Sequence, residues 1–216
     1  MKKLYFFILL GCSLALHSTS RAAFPPEYYP PQGHPRLWLT QERLTTLQNA
    51  KQQNTPRWVA FKDLCDSLID TDSANDPWNL ADAPQHYTAP LALMYRLTNN
   101  PIYADKALDL MDLTPVPYEG IYPEPDHENY QYVGLTYDWL TDYAGMTDPR
   151  ITAYLAKMKA ISDFFWDENT SASGTDSDKN LLTGVIHFIL GAAMYLDDTP
   201  IAITILDRGW YGWENG

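Results

Sequence analysis

Leu91-Ala92-Leu93-Met94-Tyr95-Arg96-Leu97-Thr98-Asn99-Asn100-Pro101-Ile102-Tyr103-Ala104-Asp105-Lys106-Ala107-Leu108 is the stretch that decides the fold. An apolar run meets a short polar turn, and a proline opens a second run. Asn100 is a residue type whose side-chain oxygen caps a helix, and proline suits the first helical position because its missing N–H had no partner there. The junction recurs: Pro56, Pro101, Pro149 and Pro200 follow Thr55, Asn100, Asp148 and Thr199. Their spacings of 45, 48 and 51 residues predict a repeated helical hairpin.

Outward from that stretch, eight helices are expected, at about 40–53, 56–69, 83–97, 101–113, 128–143, 149–166, 180–196 and 200–208. No segment alternates as a strand does. From the third helix onward the two members of each hairpin differ. Leu91 to Tyr95 and Leu181-Leu182-Thr183-Gly184-Val185-Ile186 are apolar on nearly every side, and the fifth helix is similar, with Gly134 where backbones approach. The second members are one-sided: Ala107, Leu108 and Met111 against Asp105, Lys106 and Asp109, and Ile151, Leu155, Met158 and Ile161 against Lys157 and Lys159. A helix apolar all round is enclosed, whereas a one-sided helix meets water. The expected fold class is therefore all-α, with helical hairpins forming a partial (incomplete) α/α toroid, the odd helices inside and the even ones outside. A solenoid of tetratricopeptide type has a shorter repeat, of about 34 residues.

Residues 1–22 read as a signal peptide: Lys2 and Lys3, an apolar stretch from Leu4 to Leu16, then Ser20-Arg21-Ala22 as a cleavage site. A lipoprotein start at Leu9-Leu10-Gly11-Cys12 ranks second. Residues 23–39 form an extended lead-in and 40–216 the helical domain. Processing leaves 27 acidic against 12 basic residues, a net charge of −15. Such a surface repels nucleic acid and anionic membranes. Periplasmic or secreted export is expected, with no membrane span. Cys65 is then the sole cysteine and reads as a buried structural thiol.

His34-Pro35-Arg36-Leu37-Trp38-Leu39-Thr40, followed by Glu42-Arg43-Leu44, resembles the opening of heparinase II/III-type and alginate-lyase-type polysaccharide lyases. Gly134-Leu135-Thr136-Tyr137-Asp138-Trp139-Leu140-Thr141-Asp142 resembles an inner-helix segment of that family. The run from Asn180 to Tyr195, with Gly191-Ala192-Ala193 and then Asp197-Asp198, is similar to its next inner helix. The resemblance covers roughly residues 31–208. It implies an α/α toroid, of which this chain is about the first half, and β-elimination on uronic-acid-containing glycans without a cofactor.

A lyase of this type neutralises the C6 carboxylate, removes the C5 proton and protonates the leaving O4. The resemblance implies an Asn for the carboxylate, with His and Tyr for the protons, because positioned groups with tuned pKa values handle such transfers. Loops entering the inner helices crowd one rim, where three starts carry suitable residues: Gln85-His86-Tyr87; His127-Glu128-Asn129-Tyr130 with Tyr132; and Lys179-Asn180. The catalytic candidates are Asn180, His127 and Tyr130; the substrate-binding candidates are His86, Tyr87, Asn129 and Tyr132. Asn180 is also an ordinary helix cap. Family members often carry His directly after that Asn, and Leu181 here counts against proton transfer through that position. His187 reads as a hydrogen-bonded core histidine, and Trp78 and Tyr122 as packing residues.

No metal set is legible. Asp70-Thr71-Asp72-Ser73-Ala74-Asn75-Asp76 lacks the glycine and closing glutamate of a calcium loop. Two other functions stay open. A glycoside hydrolase would need a carboxylate pair, with Asp126, Glu128 and Asp176 as loose candidates. A non-catalytic glycan- or protein-binding module fits the short length and Leu181. The net charge also opposes capture of an acidic polysaccharide or oligosaccharide. A half toroid would expose the apolar edge of its last hairpin, an expected self-association surface.

Overall fold

A computed structural model describes residues 23–71, 83–117, 129–171 and 177–215, with side chains between 168 and 182 and from 212 onward left aside. The described residues are all-α. After a 3-10 turn at Pro26–Tyr28 come α1 (Gln41–Gln52), α2 (Pro56–Asp70), α3 (Gln85–Thr98), α4 (Pro101–Leu113), α5 (Gln131–Leu140), α6 (Asp148–Ser171), α7 (Ser177–Met194) and α8 (Thr199–Asn215). No strand occurs among the described residues.

The hairpin turns follow from two adjacent polar residues with separate tasks. Asn99 takes the left-handed conformation (φ 59°) that ends α3, and Asn100 accepts the Ile102 N–H to begin α4. Asn54 (φ 50°) and Thr55, which accepts from Trp58 N, do the same between α1 and α2. The later junctions differ from expectation by one residue. Asp148 is already the first residue of α6. At α8 the cap is Asp198, which accepts from Ile201 N, while Thr199 donates its hydroxyl back to the Tyr195 carbonyl.

Packing follows the two kinds of helix. The odd helices touch one another in chain order, α1 on α3, α3 on α5 and α5 on α7, and each even helix lies on its hairpin partner. Every residue of α5 from Val133 to Leu140 is buried. Helix α4 buries only one face, through Tyr103, Ala104, Ala107, Leu108, Leu110 and Met111. Helix α1 buries no residue fully, consistent with its largely polar sequence. Two glycines permit close approach. A Cβ on Gly134 would lie 3.2 Å from the Ile189 carbonyl of α7, and one on Gly209 would lie 3.1 Å from the Gly184 carbonyl.

Two helices outrun their expected ends. Helix α6 continues to Ser171 because nothing in Asp167-Glu168-Asn169-Thr170-Ser171 is a proline or glycine; polarity alone does not stop a helix. Helix α8 passes through Gly209 and Gly212 to Asn215, beyond the expected stop at 208.

The even helices carry a ladder invisible to the hydrophobic pattern. Tyr103 of α4 donates to Asp66 of α2 (2.5 Å), and Lys106 reaches the Thr71 carbonyl (3.3 Å). One hairpin later, Tyr154 of α6 donates to Asp112 of α4 (2.5 Å), and Lys157 reaches the Met111 carbonyl (2.5 Å). Arg208 of α8 then bonds Asp163 of α6 (2.7 Å) and the Ser162 hydroxyl (2.8 Å). Tyr103 and Asp112, like Tyr154 and Asp163, are nine residues apart on one helix. Nine residues are about two and a half turns, so donor and acceptor stand on opposite sides. Helices α4 and α6 thus each give to the preceding even helix and receive from the next.

Candidate functional site

The starts of α3 and α5 lie side by side. There the Asn129 amide donates to His86 Nε2 (2.8 Å), joining the entries of α3 and α5. That bond leaves the proton of a neutral His86 ring on Nδ1. The Tyr87 ring lies tilted against His86, with centroids 6.0 Å apart. Within α3, Pro90 has no N–H to give the His86 carbonyl, so the first turn forgoes one helix bond. Beside this pair Gln85 is fully buried, and neither its amide nitrogen nor its oxygen has a hydrogen-bond partner among the described residues. A buried, unsatisfied amide is costly, and Gln85 is a group the sequence reading did not single out.

The other sequence candidates fall as follows. Tyr132 is partly buried and its carbonyl accepts the Thr136 hydroxyl. Tyr130 is fully buried, edge-on to Phe165 of α6 with centroids 5.7 Å apart. Helix α7 begins at Ser177, which puts Asn180 at its fourth residue rather than at the cap, and the Asn180 side chain lies outside the description. His127, Asp126, Glu128, Asp176, Trp78, Tyr122 and most of the calcium-like loop lie outside the described residues. His187 is a core residue. Its Nδ1 faces the Thr183 carbonyl (2.7 Å) and its Nε2 the Ser162 carbonyl (3.0 Å). Burial holds its pKa below the ordinary histidine value, with the two carbonyls opposing. Cys65 is buried, and desolvation pushes its thiol up to about 12, which makes it a poor nucleophile.

At the opposite ends of α5 and α7 the three motif segments meet. The Asp138 carboxylate, fully buried on α5, accepts from Arg36 N (2.9 Å) and Leu37 N (2.8 Å) and meets His34 Nδ1 at 2.6 Å. Arg36 Nη2 donates to His34 Nε2 (2.6 Å), so the His34 ring carries its proton on Nδ1 and gives it to Asp138. Trp139 Nε1 donates to the Leu37 carbonyl (2.8 Å). Asp197, past α7, accepts from the Tyr137 hydroxyl (2.9 Å) and lies 3.3 Å from His34 Nε2. Burial lowers the Arg36 pKa, with Asp138 and Asp197 opposing, and burial together with Asp197 raises that of Tyr137. The chemistry is that of an anchor: both oxygens of the Asp138 carboxylate are engaged within the protein.

Among the described residues no group of three or more His, Cys, Asp or Glu could hold a metal ion, and no helix is long and apolar enough to cross a membrane. No protein-family model, curated protein or solved structure matches the chain.

Proposed function

We propose that this chain is the N-terminal toroid portion of an exported polysaccharide lyase acting on uronic-acid-containing glycans by β-elimination, its hairpins forming an incomplete α/α toroid. The observation that carries the reading is the His86–Asn129 bond, which joins two helix starts into one polar rim. The enclosed α3 and α5 beside the one-sided α4 support the toroid. The contact of the three motif segments at Asp138 supports the resemblance that led to the lyases.

In this reading Asn129 and Asn180 offer amides to the substrate carboxylate. His86, held by Asn129, and His127 are the proton-transfer groups, and Tyr87 and Tyr132 flank the sugar. Tyr130 supports the rim from the core, since its ring is enclosed against Phe165. Export proceeds through residues 1–22, which the N-terminal sequence of the exported protein would test.

A second reading, a glycan-binding module without catalysis, is favoured by Leu181 beside Asn180 and by the enclosure of Tyr130. Incubation with alginate, heparin and chondroitin separates the readings. Rising absorbance from an unsaturated sugar supports the lyase. Binding with a flat trace supports the module, and new reducing ends without absorbance support a hydrolase.

A further inference from the structure

A groove of about 810 Å³ opens where α1, α2 and α3 meet. Helix α1 touches both neighbours but buries no residue fully, so a gap stays open between the three. Leu47, Ala50, Trp58, Phe61, Leu93 and Leu97 make most of the wall, and Arg57 borders it. Trp58 and Leu97 are buried, and the other four wall residues are half-buried. Arg57 is exposed. Among the basic residues whose side chains are described, it alone makes no hydrogen bond or ion pair. Each of the others is already engaged by an oxygen or a ring nitrogen of the protein.

We infer that this groove binds a single-chain amphiphile with one anionic head, of the fatty-acid class. Its hydrocarbon tail lies against Trp58, Phe61 and Leu97, and its carboxylate pairs with Arg57. A concave site of this size, mostly apolar with few polar groups, suits a small ligand whose orientation those groups fix. A guanidinium takes a carboxylate through two parallel N–H donors, and the Arg57 side chain has its donors unused. A neutral occupant would cover Arg57 without supplying an acceptor, and a cationic one would be repelled. The formal charge of −12 opposes an anionic bilayer or a polyanion, whereas a single head charge matches the single unpaired guanidinium. The ligand is therefore a dispersed amphiphile rather than a membrane lipid in place. None of these residues belongs to the rim at the starts of α3 and α5, so the site is independent of the glycan reading.

Calorimetric titration of the full chain with decanoate, kept below its micelle concentration, tests the site beside decanol and decyltrimethylammonium. Wild type binds decanoate saturably and most tightly of the three. Arg57→Gln weakens decanoate about tenfold or more and leaves decanol unchanged. Ala50→Trp, which fills the groove from α1, loses both. Lys159→Gln, which removes a charge from α6, binds as wild type does. Circular dichroism and melting temperature confirm that each variant is folded. A wild type that binds no decanoate overturns the inference, and so does an Arg57→Gln variant that binds it unchanged. Tighter binding of the ammonium amphiphile also overturns it. So does co-sedimentation with phosphatidylglycerol vesicles, or self-association abolished by Ala50→Trp, where decanoate is not bound.

Discussion

His34 and Asp138, 104 positions apart in the chain, lie 2.6 Å apart at the end of α5. Asp138 has no solvent exposure and serves the His34 ring and two backbone N–H groups of the lead-in. The lead-in is thereby an integral part of the helical domain, tied to α5 through one carboxylate.

Asp138→Ala removes an acceptor from several buried donors at once. Loss of one partner of a buried charged network costs about 3–5 kcal/mol. Urea unfolding should show the midpoint falling with the slope unchanged. Asp138→Asn, which keeps an oxygen but loses the charge beside Arg36, should fall between wild type and Ala.

Tyr154→Phe deletes one rung while leaving the ring in place. Hydrogen bonds to charged groups contribute about 1.5–3 kcal/mol, so a loss in that range is expected in the same assay. Tyr103→Phe should behave alike, because its rung has the same geometry. Tyr28→Phe, on an exposed residue outside the ladder, serves as a comparison expected to change stability by less.

A methyl group at position 134 would sit 3.0 Å from Ile189 Cγ2 and 3.2 Å from its carbonyl oxygen. The side chain can turn aside, but the backbone cannot without separating α5 from α7. Gly134→Ala should therefore destabilise by about 1–3 kcal/mol, despite the better helix propensity of alanine.

Burial keeps His187 neutral in the folded chain, with a pKa below its ordinary value of 6.5. The unfolded chain then takes up this proton first. The stability linked to His187 is intact above the ordinary value and declines as pH falls from there toward the folded pKa. Unfolding free energy measured between about pH 8 and pH 5 should fall less steeply in His187→Gln than in wild type.

How much of this was legible in the sequence depends on which force set each feature. The hairpins were legible because capping residues and proline act locally, and because enclosure demands apolar side chains on every face of α5 and α7. Helix ends were less so: α6 and α8 reach Ser171 and Asn215, beyond the expected stops, because neither polarity nor an isolated glycine stops a helix. The His86–Asn129 contact follows from placing two helix starts on one rim. The ladder was missed because its residues read as ordinary solvated polar positions. Only the nine-residue offset between Tyr103 and Asp112, repeated at Tyr154 and Asp163, would have exposed it. The Asp138 anchor was missed for another reason. Its partners were quoted as separate motifs, and nothing local to either one says that they touch.

The rim is tested most directly by calorimetric titration of a uronic-acid oligosaccharide into wild type, His86→Ala, Asn129→Ala and, as a distant comparison, Thr204→Ala. The account predicts saturable binding by wild type and by Thr204→Ala, weakened about tenfold or more in the two rim variants with unchanged melting temperatures. Absence of binding by wild type, or equal binding by all four proteins, would contradict it.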